Sequence, residues 1–108
     1  PALYKKLAKK GAIFLTVPAA FTFTTGKSHW HALIKARAIE NGCYVFAPAQ
    51  CGIHENGRRT YGHSIIVNPW GKTIVEAGET VSSVDALIDL SAIEDARKKI
   101  PSMTNYNL

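Results

Sequence analysis

Hydrophobic positions change their rhythm twice along this chain. Over residues 2–10 (ALYKKLAKK), Leu3, Tyr4 and Leu7 fall on one side of a helical wheel, with Lys5, Lys6, Lys9 and Lys10 on or beside the other. Pro1 suits a first helical position and Gly11 an exit, so the spacing predicts a helix over 2–10. Its lysines crowd the C-terminal end, where positive charge complements the helix dipole. Residues 12–17 (AIFLTV) are an apolar run of strand length closed by Pro18, which reads as a strand covered on both faces, as parallel strands are. Residues 21–26 (FTFTTG) form a polar–aromatic loop. The helical period returns over 28–41, with Trp30, Leu33, Ile34 and Ala38 in phase and Gly42 placed to end the helix. Residues 43–47 are a second buried strand, again stopped by a proline, Pro48.

After Pro48 the rhythm is that of strands alone. Residues 50–60 read as a long loop with Gly52, Gly57 and the pair Arg58–Arg59. Strands follow at 63–68 and 72–77, joined by Asn68-Pro69-Trp70-Gly71, a turn with proline second and glycine fourth. A further strand is predicted over 84–90, where Val84, Ala86 and Ile88 alternate with Asp85, Leu87 and Asp89. Ser91 and Glu94 are spaced as a capping box for a last helix, which carries Arg97, Lys98 and Lys99 in its final turn and stops before Pro101, with an extended polar tail beyond. The order is helix, strand, helix, strand, loop, three strands, helix: an α/β pattern. It opens on a helix with no strand before it, leaving an open sheet edge and an uncovered face. The expectation is half of an α/β sandwich that would not fold well alone.

With 108 residues the chain holds one domain's worth at most. Its composition, 46% hydrophobic and 19% charged, is that of a globular protein and excludes a disordered or fibrous one. No apolar run approaches the roughly 20 residues that span a bilayer, so no membrane role is expected. The formal net charge of +5 is scattered among Lys5 to Lys10, Arg58–Arg59 and Arg97 to Lys99, and each cluster has a local use, which disfavours a nucleic-acid partner. Cys43 and Cys51 form no CxxC motif or disulfide framework, and a reduced, cytoplasmic setting is the expectation.

Candidate chemistry is sparse. His29 and His31 are two apart on a predicted helix and point in different directions, and no set of three or four converging metal ligands is apparent. Cys51, near Arg58 and Arg59, has an electropositive neighbourhood and two possible bases in His54 and His63, but the pairing is unspecific. There is no GxSxG elbow, P-loop or GxGxxG.

The residues themselves are more telling. Pro18-Ala19-Ala20-Phe21, Thr25-Gly26, His29-Trp30, the run from Ala36 to Asn41, Tyr61-Gly62-His63-Ser64, Asn68-Pro69-Trp70-Gly71, Asp89-Leu90, Arg97 and Ile100-Pro101 stand in an order and spacing that resemble the nitrilase superfamily of carbon–nitrogen hydrolases. The resemblance covers essentially the whole chain, and is greatest to the branch of amidases acting on deaminated glutathione and related ω-amides. It implies the C-terminal part of a four-layer α-β-β-α sandwich, residues 1–108 being that part of a single hydrolase domain. It also implies a chemistry in which a cysteine thiolate attacks an amide carbon, a glutamate handles the proton and a lysine stabilises the oxyanion, without metal or organic cofactor. Pro1 to Tyr4 resemble the end of the segment that follows the family's nucleophile. Neither Cys43 nor Cys51 matches the nucleophile's position, so no catalytic residue carries over and the chain alone is expected to be inactive. What carries over is support: Phe21, Thr22 and Thr24 at the mouth of the site, with Gln50 and Cys51 from the neighbouring strand end. Arg37 and Glu40 resemble a pair that braces helix against sheet. The helices at 2–10 and 28–41 resemble the family's homodimer surface. The implied partners are a small amide and further copies of the protein; the alternative is a non-catalytic interaction or dimerisation module.

Overall fold

In the computed structural model, which describes residues 2–55 and 57–99, the two proline-terminated apolar runs pair as parallel strands. Helix α1 (Ala2–Lys9) leads into β1 (Phe14–Thr16), α2 (Phe23–Asn41) and β2 (Tyr44–Ala47). A short hairpin follows, β3 (Cys51–Ile53) and β4 (Arg59–Tyr61), then a second, β5 (Ile65–Val67) and β6 (Thr73–Glu76), and finally α3 (Ser91–Lys99). The main sheet has the order β1-β2-β5-β6, with β1 and β2 parallel across the α2 crossover and the other neighbours antiparallel. The β3–β4 hairpin is a separate two-stranded sheet. The expected roles of Pro1, of Ile100 and Pro101 and of the tail lie outside the described residues.

Strand register sorts side chains onto two faces. Leu15, Val45, Ala47, Ile65 and Val67 point to one face and are buried against Trp30, Ile34 and Ala38 of α2. Burying each of the larger aliphatics contributes about 1.5–3 kcal/mol. The opposite face carries Phe14, Tyr44, Phe46 and Ile66, with Phe14 edge-on to Phe46 at 5.6 Å and tilted against Tyr44 at 6.1 Å. Phe14 is exposed and Phe46 and Ile66 are half-buried, so β1 is covered on one face only, not on both. Among the described residues no layer covers the second face as α2 covers the first.

Several local expectations are corrected. Helix α2 starts at Phe23 rather than residue 28, with Thr22 as N-cap in extended conformation. Threonines and a glycine are poor helix formers, and this first turn is held by packing on β4 instead. Gly42 does end the helix, in the left-handed region at φ 59°, its N–H donating to Ala38 O. In α1, Lys5 and Ala8 are buried while Leu3 and Leu7 are exposed. Lys5 Nζ donates to Glu40 O, so this lysine complements the C-terminus of α2 rather than that of its own helix. The 50–60 loop contains the β3–β4 hairpin. The 68–71 turn is as expected, closed by Gly71 N–H to Asn68 O at 2.9 Å, with Asn68 Oδ1 accepting from Trp70 and Lys72. Residues 84–90 make no ladder, yet the alternation survives in burial: Val84, Ala86 and Ile88 are half-buried, and Asp85, Leu87 and Asp89 are exposed. The Tyr44 hydroxyl anchors that segment at Asp89. At α3, Asp89 Oδ1 accepts from the N–H and hydroxyl of Ser91, replacing the expected capping box, and Glu94 pairs with Lys98 instead.

Candidate functional site: a cleft at the strand ends

The parallel pair β1–β2 delivers its two chain exits to the same place. Pro18 and Pro48 stop the strands, but the backbones stay side by side: Ala19 N–H donates to Pro48 O and Gln50 N–H to Ala19 O, each at 3.0 Å. Beyond these carboxyl ends lie two adjoining hollows, the position where α/β layers place ligands. One, of about 540 Å³, is bounded by Pro18 to Ala20, Pro48 to Gln50 and Ser64. The other, of about 300 Å³, runs from Ala49, Gln50, Cys51 and His54 to the 77–82 segment. They share Ala49, Gln50 and Ser64, and form one cleft with two lobes.

Ser64 Oγ fixes the shared wall, accepting from Ala49 N–H at 2.8 Å and reaching Ala49 O at 3.4 Å. Its place follows from His63, whose φ of 60° is in the left-handed region, an unfavourable setting for a side-chain-bearing residue. Three bonds hold it there: Trp30 Nε1–H to His63 O at 2.7 Å, His63 N–H to Gly78 O at 3.0 Å, and the ring Nδ1 with Tyr61 O at 2.8 Å. The His63 ring stacks on Tyr61 at 3.9 Å.

Of the residues singled out in the sequence, the structure brings Gln50 and Cys51 to the cleft. Gln50 lines both lobes; Cys51 lines the smaller one as a half-buried free thiol. Phe21 faces the helix side, edge-on to Trp30 at 5.2 Å, in a different hollow shared with Tyr4 and Leu33. Thr22 caps α2 with its main chain, and its hydroxyl donates to Thr25 Oγ1 at 3.0 Å. Thr24 is exposed in the first turn of the helix. His54 shares the smaller lobe with Cys51, but its Nε2 lies 2.7 Å from Thr60 Oγ1. Among the described residues no hydrogen bond joins the Cys51 thiol to His54 or His63. Nor does any group of three metal-ligating side chains form. His31 instead meets Glu76 at 2.7 Å.

Ser64 was not legible as a cleft residue, and His54 was singled out only as a possible partner of Cys51; the available signal was the matched pair of strand-ending prolines. Away from the cleft, Cys43 is fully buried, and burial pushes its thiol up, against the opposing pull of Arg97 and Lys5. Arg97 Nη2 reaches Ala12 O at 2.9 Å, and Asn41 O and Cys43 Sγ at 3.3 Å each, tying α3 to the ends of α1 and α2. Arg37 and Glu40 do pair, at 2.6 Å. Among the described residues no helix is long and apolar enough to cross a membrane.

Residues 1–98 match the carbon–nitrogen hydrolase family. The chain is similar to the deaminated glutathione amidase of Synechocystis sp., 48% identical over 103 residues, covering 95% of this chain and 38% of the relative. To the mouse enzyme of the same name it is 46% identical over 101 residues, 94% of this chain and 31% of that one. Among solved structures it superposes on Saccharomyces cerevisiae Nit3, a nitrilase superfamily member, with a TM-score of 0.88 at 39% identity, covering 94% of this chain and 37% of that one. On the C. elegans NitFhit protein the TM-score is 0.86 at 44% identity, with 97% and 26% covered. The chain thus spans well under half the length of these relatives. Its helix-backed sheet is a partial α-β-β-α sandwich, and the chain belongs to the carbon–nitrogen hydrolase family.

Proposed function

We propose that residues 1–108 are the C-terminal part of a single hydrolase domain that cleaves small amides of the deaminated glutathione or ω-amide type. The cleft at the exits of β1 and β2 is the observation that carries this reading: it is an open, small-residue-walled groove at the ligand position of the layer. The names of the relatives support the substrate type. In this reading the nucleophilic cysteine, the glutamate and the lysine come from outside these residues. The thiolate adds to the amide carbon, the C–N bond breaks as the amine leaves with a proton, and water releases the acid from the thioester. Gln50 and Cys51 wall the substrate's path; Phe21, Thr22 and Thr24 support the mouth from the helix side. No cofactor enters, and the expected setting is the cytoplasm. Copies associate through α1 and α2, where Leu3, Leu7, Leu33 and Ile39 are exposed. The same apolar surface favours the second reading, a non-catalytic dimerisation module.

The test is amide hydrolysis by the full-length protein and by the 108-residue chain, using deaminated glutathione and short ω-amides. Activity in the former alone supports the first reading. Absence of turnover by the full-length protein, with self-association of the short chain, supports the second. Activity in the short chain would make one of its own residues the nucleophile and overturn the assignment.

A further inference from the structure

The smaller lobe of the cleft lies between two walls that are fastened differently. One is the β3–β4 hairpin, which brings Cys51 and His54; the other is the 77–82 segment that follows β6. At the base of the second wall the main chain holds firm: Ala77 N–H donates to Ser64 O at 2.8 Å, and Gly78 O accepts from His63 N–H at 3.0 Å. Beyond Gly78 the chain leaves the body of the protein. Thr80 to Ser83 are exposed, Val81 at 93%, and among the described residues no hydrogen bond holds them. At the rim a single side chain of the hairpin reaches across. Arg59 Nη2 donates to Glu79 Oε1 at 2.7 Å, while its guanidinium lies 3.7 Å from the centre of the Phe23 ring. Strand alternation puts Arg59 on the hairpin face that also carries Cys51 and Ile53. The Phe23 ring is itself seated, edge-on to Tyr61 at 5.7 Å.

We propose that the Arg59–Glu79 pair, braced by Phe23, latches residues 79–82 against the hairpin and so limits the size of the group that the smaller lobe admits. Both partners are half-exposed, and an ion pair in that setting holds only weakly by itself. Stacking on the ring orients the planar guanidinium before it meets the carboxylate, so less side-chain freedom is lost on closing. The latch is therefore strong enough to favour the closed lobe and weak enough to release it. Gly78 supplies the pivot: nothing lies within 4 Å of a Cβ placed there, so the chain can turn at this point without meeting a neighbour. Closed, the lobe of about 300 Å³ is lined on the strap side by alanine, glycine, threonine, valine and serine, which suits a short uncharged group. The assignment goes beyond the amidase reading and does not depend on it, because access to the lobe can be read at the Cys51 thiol whatever the protein turns over. On the amidase reading, the latch sets the bulk tolerated at one end of the substrate.

The test follows alkylation of Cys51 in the full-length protein by N-ethylmaleimide and by the bulkier N-pyrenylmaleimide, resolved peptide by peptide by mass spectrometry. Wild type, Glu79→Gln and Arg59→Lys are compared, each with a melting curve to establish folding. The expected result is a small-over-bulky rate ratio that falls about 3- to 10-fold in Glu79→Gln. It should fall less in Arg59→Lys, which keeps the charge but not the planar stack. General loosening of the hairpin would instead raise both rates together and leave the ratio alone, so an unchanged ratio in a folded Glu79→Gln overturns the assignment. Wild-type Cys51 that reacts with neither reagent also overturns it, since the lobe would then be closed off by something other than the latch. If Glu79→Gln does not fold, wild type in salt decides. At about 1 M NaCl the Debye length shrinks to about 3 Å, the half-exposed pair weakens, and the ratio should fall in the same direction; a ratio indifferent to salt refutes the latch.

Discussion

Gly26 sets the distance between α2 and the β3–β4 hairpin, and adding one methyl group there tests the packing directly. Judged as an isolated helix position, Gly26→Ala should stabilise by about 1 kcal/mol, because glycine is the costlier residue in a helix interior. The structure opposes this. A Cβ on Gly26 would stand 2.4 Å from Tyr61 Cβ, 2.6 Å from Cγ and 2.9 Å from Cδ2, where carbon atoms prefer about 3.5–4.0 Å. The nearest of these atoms is fixed to the backbone of β4, so rotating the tyrosine does not relieve the contact. Its ring is also confined, stacked on His63 at 3.9 Å and edge-on to Phe23 at 5.7 Å. Relief therefore requires α2 and the hairpin to part by about 1 Å, a change of the overpacking kind that costs about 1–3 kcal/mol. The net expectation for Gly26→Ala in the full-length protein is a loss of up to about 2 kcal/mol, read as a lower urea midpoint at unchanged slope. Ser28→Ala, exposed on the same helix, is the control and should be neutral or stabilising. In a Tyr61→Gly background the loss should vanish. Gly26→Ala more stable than wild type, or equally costly without the Tyr61 side chain, would refute the reasoning.

Two other outcomes follow from buried groups. Burial pulls the Lys5 amine below its usual value, against the favourable field of Glu40. The unfolded state therefore binds more protons at Lys5 between the lowered folded value and the ordinary one, so Lys5 contributes a rise in stability with pH across that alkaline window, while the raised Cys43 thiol works the other way; the unfolding free energy of Lys5→Met relative to wild type should therefore fall between pH 7 and 10.5. Cys43 is fully buried with its thiol pushed up, whereas Cys51 is half-buried in the cleft, so site-resolved alkylation of the native protein should modify Cys51 well before Cys43. Equal labelling would mean that β2 opens far more readily than its packing implies.

The strands ended by Pro18 and Pro48, the Asn68–Gly71 turn and the Gly42 helix end were all legible because each rests on chemistry within a few residues. The missed elements depend on distant partners. Helix α2 extends back to Phe23 through a Thr-Thr-Gly stretch because Gly26 seats against Tyr61, 35 residues on, which no local propensity encodes. The three-residue strands β3 and β4 have too little periodicity to register, and Ile53 is 76% exposed despite its side chain. The burial of Lys5 in preference to Leu3 and Leu7 reflects a carbonyl at the end of another helix. For the cleft, Gln50 and Cys51 came from the family resemblance; Ser64 and the inward turn of Phe21 needed the fold and the left-handed His63.

The wall of the larger lobe carries mostly small side chains, Ala19, Ala20, Ala49 and Ser64 beside Pro18 and Pro48, and this divides labour in divergence. Substitutions among Ala19, Ala20 and Ala49 can add bulk but hardly alter the polar groups on display, because those belong to the backbone and are pinned by strand pairing and Ser64. On the amidase reading proposed above, new substrate preferences are therefore most readily written at His54 and in the 77–82 segment, where charge can change without disturbing the parallel pair beneath. On that reading, a library confined to His54 and the 77–82 segment should shift selectivity at little expense in stability, and one aimed at the strand exits should do the reverse.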